Sequence, residues 1–126
     1  MIDFTNATFL KLGEWDIAGA TAKVEPMLID GESVFASFKT VRDQVIFTNK
    51  RVIAINVQGI TGKKGDYTSL PYSKIQAFSV ETAGVLDLDT EMVLWFAGLG
   101  VVTFQFKARF DIKAFNKLIA AYILEK

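Results

Sequence analysis

The stretch Val45–Ile55, VIFTNKRVIAI, places two apolar runs on either side of an Asn-Lys dipeptide. Asparagine tolerates the left-handed backbone of a two-residue hairpin turn, so this stretch predicts a tight β-hairpin. Both faces of that hairpin are apolar, so one lines a core and the other is covered by a helix or by a neighbouring subunit. The register opposes Phe47 to Val52 on one face and Ile46 to Ile53 on the other.

Similar patterns continue through residues 32–107, which predict a train of short antiparallel strands. The last hairpin has the clearest alternation, and a three-residue turn at Gly98–Gly100 keeps its large apolar side chains on one face. That register sends Val93 and Trp95 to the opposite face, where the N-terminal helices or an adjacent protomer would cover the indole. It predicts three inward cross-strand pairs: Phe96–Val102, Leu94–Phe104 and Met92–Phe106.

The two flanks of this region are predicted to be helical. Residues 4–28 are rich in Ala and Leu and lack strand-like alternation, so they predict two short helices. Gly13 ends the first, Asp16 caps the second and Pro26 closes it. Residues 111–125 carry one apolar stripe at helical spacing behind an aspartate N-cap, which predicts an amphipathic helix.

These elements predict a mainly β chain with helices, an α+β class, in a single domain over residues 1–126. About seven short strands are too many for a flat open sheet in so small a chain. We therefore expect a bent antiparallel β-sandwich or a partly open barrel that the last helix plugs.

Composition excludes several chemistries. The chain has no Cys and no His, which excludes disulfides, thiolate metal sites and imidazole catalysis. Its 14 basic and 14 acidic residues balance, so it lacks the basic excess on which nonspecific nucleic-acid binding rests. We expect no cofactor and no enzymatic activity. The sequence begins without a signal peptide and has no apolar run long enough to span a bilayer, which favours the cytoplasm.

One acidic run alternates along a predicted strand. Asp87, Asp89 and Glu91 would share one strand face, where they could serve hydrolysis or hold a calcium ion. The calcium loop of an EF-hand needs glycine at its sixth position, and Met92 stands there. The pattern is also typical of a solvated outer strand face, which is the interpretation we favour.

Basic residues near three predicted turns form a candidate patch for an anionic headgroup or a phosphate. The solubility of turns explains the same residues, and Asp43 and Asp66 lie beside them in the sequence. The candidate patch consists of Lys39, Arg42, Lys50, Arg51, Lys63 and Lys64.

Four segments together resemble the bacterial pleckstrin-homology-like family of small stand-alone proteins. They are FTNKRVI at 47–53, QGITGKK at 58–64, LPYSKI at 70–75 and FSVETAG at 78–84. The resemblance covers most of the chain. It implies a seven-stranded, strongly bent β-sandwich capped by a C-terminal helix.

The resemblance also implies an assembly. Single-domain members form cyclic rings, pentameric in this class, with a hydrophilic surface where strands of adjacent protomers meet. Longer members add a C-terminal helical hairpin, and a chain that stops at Lys126 is not expected to build the larger ring. The family has no established enzymatic activity. Eukaryotic relatives often bind phosphoinositides through a basic first hairpin, which here offers Lys39 and Arg42 beside Asp43.

Two hypotheses for function follow. The first is a non-catalytic, ring-forming homo-oligomeric scaffold that recognises an as yet unidentified protein partner. Its candidate oligomer interface consists of Val93, Trp95, Ile46 and Ile53. The alternative is peripheral binding to the anionic headgroups of membrane lipids through the candidate basic patch, which salt would weaken.

Overall fold

The computed structural model describes residues 6–58 and 64–125. Strands dominate the described residues, so the expected class, mainly β with helices, is confirmed. In chain order the elements are β1 (Asn6–Glu14), α1 (Ile17–Val24), β2 (Val34–Lys39), β3 (Asp43–Thr48), β4 (Arg51–Gln58), β5 (Lys64–Pro71), β6 (Ile75–Glu81), β7 (Thr90–Phe96), β8 (Gly100–Phe106) and α2 (Ile112–Leu124), with 3-10 turns at Glu25–Met27 and Tyr72–Lys74. The described part of the chain thus holds eight strands, one more than expected.

The chain divides into two compact units. The first unit contains residues 13–71. Its strands are ordered β5-β4-β3-β2, and the last two residues of β1, Gly13 and Glu14, pair with the end of β2. All of these pairings are antiparallel, as the sequence predicts.

The β3–β4 hairpin has the predicted two-residue turn. Phe47 pairs with Val52 and Ile46 pairs with Ile53. One apolar face of the hairpin lies under α1, because Ala20 and Val24 of that helix are buried against Ile46, Ile53 and Ile55. A helix of the same unit therefore covers this face, which is the first of the two alternatives that the sequence left open.

The helix α1 begins where its cap was predicted. The carboxylate of Asp16 accepts a hydrogen bond from the Gly19 amide at 2.9 Å, which satisfies one of the free amides of the first turn. Pro26 stands in the 3-10 turn that follows the last residue of α1, because proline has no amide proton to continue the helix.

The second unit contains residues 6–12 of the described chain together with residues 72–125. Its strands are ordered β1-β8-β7-β6. The predicted helix is present as α2, and Asp111 caps it by accepting from the Ala114 amide at 3.1 Å. Phe115 of α2 packs edge-on against Phe106 of β8, with ring centroids 5.7 Å apart.

The helical prediction for residues 4–28 is wrong over its first part, where residues 6–14 form β1. Phe9 stacks on Phe104 with centroids 5.5 Å apart, and Leu12 is also buried. The register shifts between Phe9 and Leu12, and Lys11 has a φ of 57°. This bulge gives the two inward residues a helix-like spacing of three, which hid the strand. The pairing of β1 with β8 is also parallel, not antiparallel.

The last hairpin is correct in parity but shifted in register. Phe96 pairs with Gly100 rather than with Val102, so the turn is Ala97–Leu99. Gly98, at its centre, has a φ of 75°, the backbone that favours glycine. A shift of two residues leaves every side chain on its predicted face. The predicted inward residues are therefore buried, although their partners differ: Leu94–Val102 and Met92–Phe104 replace the predicted pairs.

Candidate functional site

Three basic residues share one end of the first unit's sheet, and we call them the basic end: Lys39, Arg42 and Lys64. Lys39 closes β2, Arg42 lies in the turn before β3, and Lys64 begins β5 beside the last residue of β4. All three are exposed. The Lys39 amine lies 5.6 Å from the centre of the Trp15 ring, which is within cation–π range.

Two carboxylates reduce the positive charge of the basic end. Asp43 accepts from the Asn56 amide nitrogen at 2.8 Å. Asp66 accepts from the Thr68 hydroxyl at 3.0 Å, and this hydrogen bond holds the pKa of Asp66 below its ordinary value. The three cations are thus balanced in part by two carboxylates at the same end of the sheet.

The other members of the candidate patch lie elsewhere. Lys50 and Arg51 are at the opposite end of β3, whose six residues span about 20 Å. Lys63 falls outside the described residues. The prediction that one patch includes Lys50 and Arg51 together with Lys39, Arg42 and Lys64 is therefore wrong. Successive turns between antiparallel strands lie at opposite ends of the sheet, so turns adjacent in sequence are far apart.

Arg51 is held by the protein itself. Its Nε donates to Glu32 Oε2 at 2.9 Å and its Nη2 donates to Glu32 Oε1 at 3.0 Å. Nη2 also donates to the Met27 carbonyl oxygen at 2.7 Å, and Nη1 donates to the Ser69 hydroxyl at 2.9 Å. Every guanidinium nitrogen has a partner, so we remove Arg51 from the candidate binding residues.

Glu32 completes this network from the other side. Burial acts to raise the pKa of Glu32, but the hydrogen bonds from Arg51, from the Thr48 hydroxyl at 2.6 Å and from the Ile29 amide at 3.1 Å outweigh it. The pKa of Glu32 therefore lies below its ordinary value. Sequence reasoning missed this residue because its partner stands 19 positions away and no local pattern links them.

Two of the four residues of the candidate oligomer interface are not available. Ile46 and Ile53 are fully buried beneath α1 within the first unit. Their exposure was inferred from a hairpin with two apolar faces, and the helix already covers the face in question. This removes both from the candidate interface.

Val93 and Trp95 lie on the outer side of the second unit's sheet, as predicted. Trp95 is 38% exposed and Val93 is half-buried. Trp95 has Ala77 of β6 and Val101 of β8 as its cross-strand neighbours. The long helix of this unit, α2, packs on the opposite, buried face through Phe115.

We call this surface the β6–β7 outer face. Trp95 lies at one end of it, and the polar residues lie at the other end of the two strands. It is formed by every second cross-strand pair of the β6–β7 ladder, whose residues face outward. These pairs are Trp95–Ala77, Val93–Ser79 and Glu91–Glu81. The face therefore joins an apolar patch to a pair of carboxylates.

The acidic run is split between a loop and a strand. Asp87 and Asp89 lie in the loop that precedes β7, and only Glu91 belongs to the strand. Asp89 pairs with the amine of Lys11, and its amide donates to the Asp87 carboxylate at 3.0 Å. No group of three or more potential metal-ligating side chains occurs in residues 6–58 and 64–125. The expectation that all three acids share one strand face is wrong.

Comparison with known proteins identifies the family. The family model described as the bacterial PH domain matches residues 3–123, so the chain belongs to the bacterial PH domain family. The uncharacterised protein YjqA of Bacillus subtilis is 46% identical over 106 residues, which cover 82% of this chain and 85% of that protein. The resemblance inferred from the sequence is confirmed, and with it the PH-like fold.

Two solved structures support the same assignment. A DUF1696 family protein with a pleckstrin-homology domain from Shewanella loihica PV-4 is 34% identical, with a TM-score of 0.74 over 91% of this chain and 99% of that one. A pleckstrin-homology domain from Shewanella amazonensis SB2B is 41% identical, with a TM-score of 0.67 over 87% of this chain and 100% of that one. In the described part of the present chain, no helix is long and apolar enough to cross a membrane.

Proposed function

We propose that this protein is a non-catalytic interaction module that assembles into a cyclic homo-oligomer, a pentamer, and presents a surface to a protein partner. Trp95 is the observation that carries the proposal. The residue is 38% exposed beside Val93, Ala77 and Val101. That fraction is roughly 90 Å² of a side chain that offers up to about 250 Å².

Covering this aromatic surface has a favourable free energy. At 25 cal/mol per Å², burying the exposed part of the indole contributes about 2 kcal/mol before any neighbour is counted. Contiguous exposed apolar surface on a small protein is typical of an interaction site. The lack of His and Cys supports a non-catalytic role, because those residues serve in many nucleophilic and acid–base sites.

Light scattering coupled to size-exclusion chromatography tests the assembly. We expect a single species with the mass of about five protomers at micromolar concentration, because most soluble homo-oligomers are closed symmetric assemblies. A monodisperse monomer across that range would remove the proposal. Fractionation of the host cell tests the cytoplasmic location that we expect for the ring.

A second function, binding to anionic lipid headgroups, is supported by the basic end alone. Lys39, Arg42 and Lys64 are exposed at one end of the sheet. Co-sedimentation with vesicles of phosphatidylcholine, with and without phosphatidylserine, at low and physiological salt tests it. We expect binding only to the anionic vesicles and a loss with salt, because the Debye length falls to about 8 Å. Equal sedimentation with both vesicles contradicts this function.

A further inference from the structure

Glu81 and Glu91 stand directly opposite each other in the β6–β7 ladder. Like charges in directly opposed positions destabilise a sheet. Neither carboxylate has a cationic partner among the described residues. Lys11 contacts Gln105 of β8, the cross-strand neighbour of Glu91, because its backbone amide donates to the Gln105 side chain at 3.3 Å. Its amine, however, is paired with Asp89. Within residues 6–58 and 64–125 the two opposed carboxylates therefore lack a neutralising charge.

The same face supplies an apolar surface beside these carboxylates. Glu91, Val93 and Trp95 alternate along β7 and project to the same side. A partner that fits this face carries positive charge at one end and an aliphatic side chain next to it. A partner surface that is only charged, or only apolar, would match only half of this face.

The chain contains a segment with that chemistry at the β2–β3 turn. Val41 is fully exposed at the tip of the turn, with a relative accessibility of 101%. Lys39 and Arg42 flank it and are also exposed. The guanidinium of Arg42 makes one long contact, 3.4 Å from Nη1 to the Val57 carbonyl oxygen. The turn thus presents an aliphatic tip between two cations.

We propose that the β2–β3 turn of one copy docks on the β6–β7 outer face of a second copy. Arg42 then neutralises the opposed Glu81 and Glu91, and Val41 packs beside Val93 and Trp95. The inference rests on the proposed homo-oligomer and names the surfaces through which it forms. It is carried by charge complementarity between two surfaces of a chain whose net charge is zero.

Such a contact joins two different surfaces, so it is heterologous. Heterologous contacts repeat from copy to copy and close into a ring when the rotation between copies permits. Each copy contributes one turn and one face. The contact therefore predicts that damage to either surface interrupts the same assembly.

Charge reversal tests the pairing. We expect Arg42→Glu, and separately the combination of Glu81→Lys with Glu91→Lys, to raise the dissociation constant of the assembly by roughly tenfold or more, because each leaves like charges facing across the contact. Sizing by light scattering over a concentration series measures this, and circular dichroism verifies that each variant is folded. Val41→Asp is a second probe of the turn, and as Val41 is fully exposed it leaves the core untouched.

The decisive test combines Arg42→Glu with Glu81→Lys and Glu91→Lys. All three charges are then reversed and again attract across the contact, so we expect this triple variant to regain most of the wild-type assembly. Lys117→Glu with Glu81→Lys and Glu91→Lys has the same net charge but alters an exposed residue of α2, and we expect it to stay dissociated.

The outcomes separate the two proposals. A monomeric wild type overturns both the homo-oligomer and this contact. Wild-type assembly in Arg42→Glu, or in the variant with both glutamates reversed, overturns only the contact, as does a triple variant that regains nothing while the wild type assembles. Recovery by the Lys117→Glu combination also overturns the contact, because net charge alone would then explain the result.

Discussion

Arg51 and Glu32 form a bidentate ion pair inside the first unit. The two hydrogen bonds are 2.9 Å and 3.0 Å long. The Glu32 side chain is completely shielded from solvent and 19% of the Arg51 side chain is exposed. The pair joins the first residue of β4 to the segment that precedes β2. These charge-assisted hydrogen bonds therefore hold the connection between α1 and β2 against the sheet.

Removing the charge of Glu32 is expected to destabilise this unit. Glu32→Gln keeps the size of the side chain but leaves the largely buried Arg51 side chain without its counter-charge. We expect the free energy of unfolding to fall by about 2–4 kcal/mol. Urea denaturation monitored by circular dichroism measures it, with Lys50→Gln in the adjacent exposed turn as a control that changes little. Equal midpoints for both variants would contradict the role of the pair.

The same pair predicts a dependence of stability on pH. The pKa of Glu32 is lower in the folded state than its ordinary value. Its contribution is therefore complete above the unfolded pKa of about 4.3 and is lost as the pH falls through the lower folded pKa. We expect the stability difference between wild type and Glu32→Gln to be large at pH 7 and to shrink in strong acid. A difference that stays constant over this range would argue against this linkage.

Local patterns were sufficient where the responsible contacts are local. The β3–β4 turn, the Asp16 cap and the Asp111 cap each depend on residues within a few positions, and the structure has all three. Parity in the last hairpin was equally predictable, because the inward side of a strand is determined by alternation. Its register was not, since Gly98 and Gly100 each suit a turn and shifts by two residues preserve the pattern.

Nonlocal contacts explain what the sequence concealed. β1 is stabilised by β8, and its Phe9 stacks on Phe104, which lies 95 positions later in the sequence. The bulge at Lys11 disrupts the alternation that would have indicated a strand. The prediction of the candidate patch was wrong for a related reason. Arg51 was included because it follows Lys50 in the sequence, whereas in the structure its guanidinium is bound by the distant Glu32.

The turn of the last hairpin predicts a specific sensitivity at Gly98. Gly98 has a φ of 75°, and a Cβ there would meet no atom within 4 Å. Gly98→Ala therefore introduces backbone strain without a steric clash, and we expect a loss of about 1 kcal/mol. Gly84→Ala is the matched control, because the added Cβ would lie at an ordinary 3.5 Å from the Asp87 carbonyl oxygen. Thermal unfolding of both variants measures the difference, and the same loss for both would contradict the assignment.

Trp95 allows folding and assembly to be separated in one variant. The residue projects from the outer side of β7, whereas its neighbours Leu94 and Phe96 are buried on the other side. Trp95→Asp therefore leaves the core residues in place and puts a third carboxylate on a face that already carries Glu81 and Glu91. We expect a folded protein whose ring dissociates into monomers, since the apolar contact is lost and the repulsion on that face increases. Circular dichroism and light scattering on the same sample measure the two properties. A folded variant that keeps the wild-type assembly size would show that Trp95 lies outside the interface, and an unfolded one would show that the indole is needed by the unit itself.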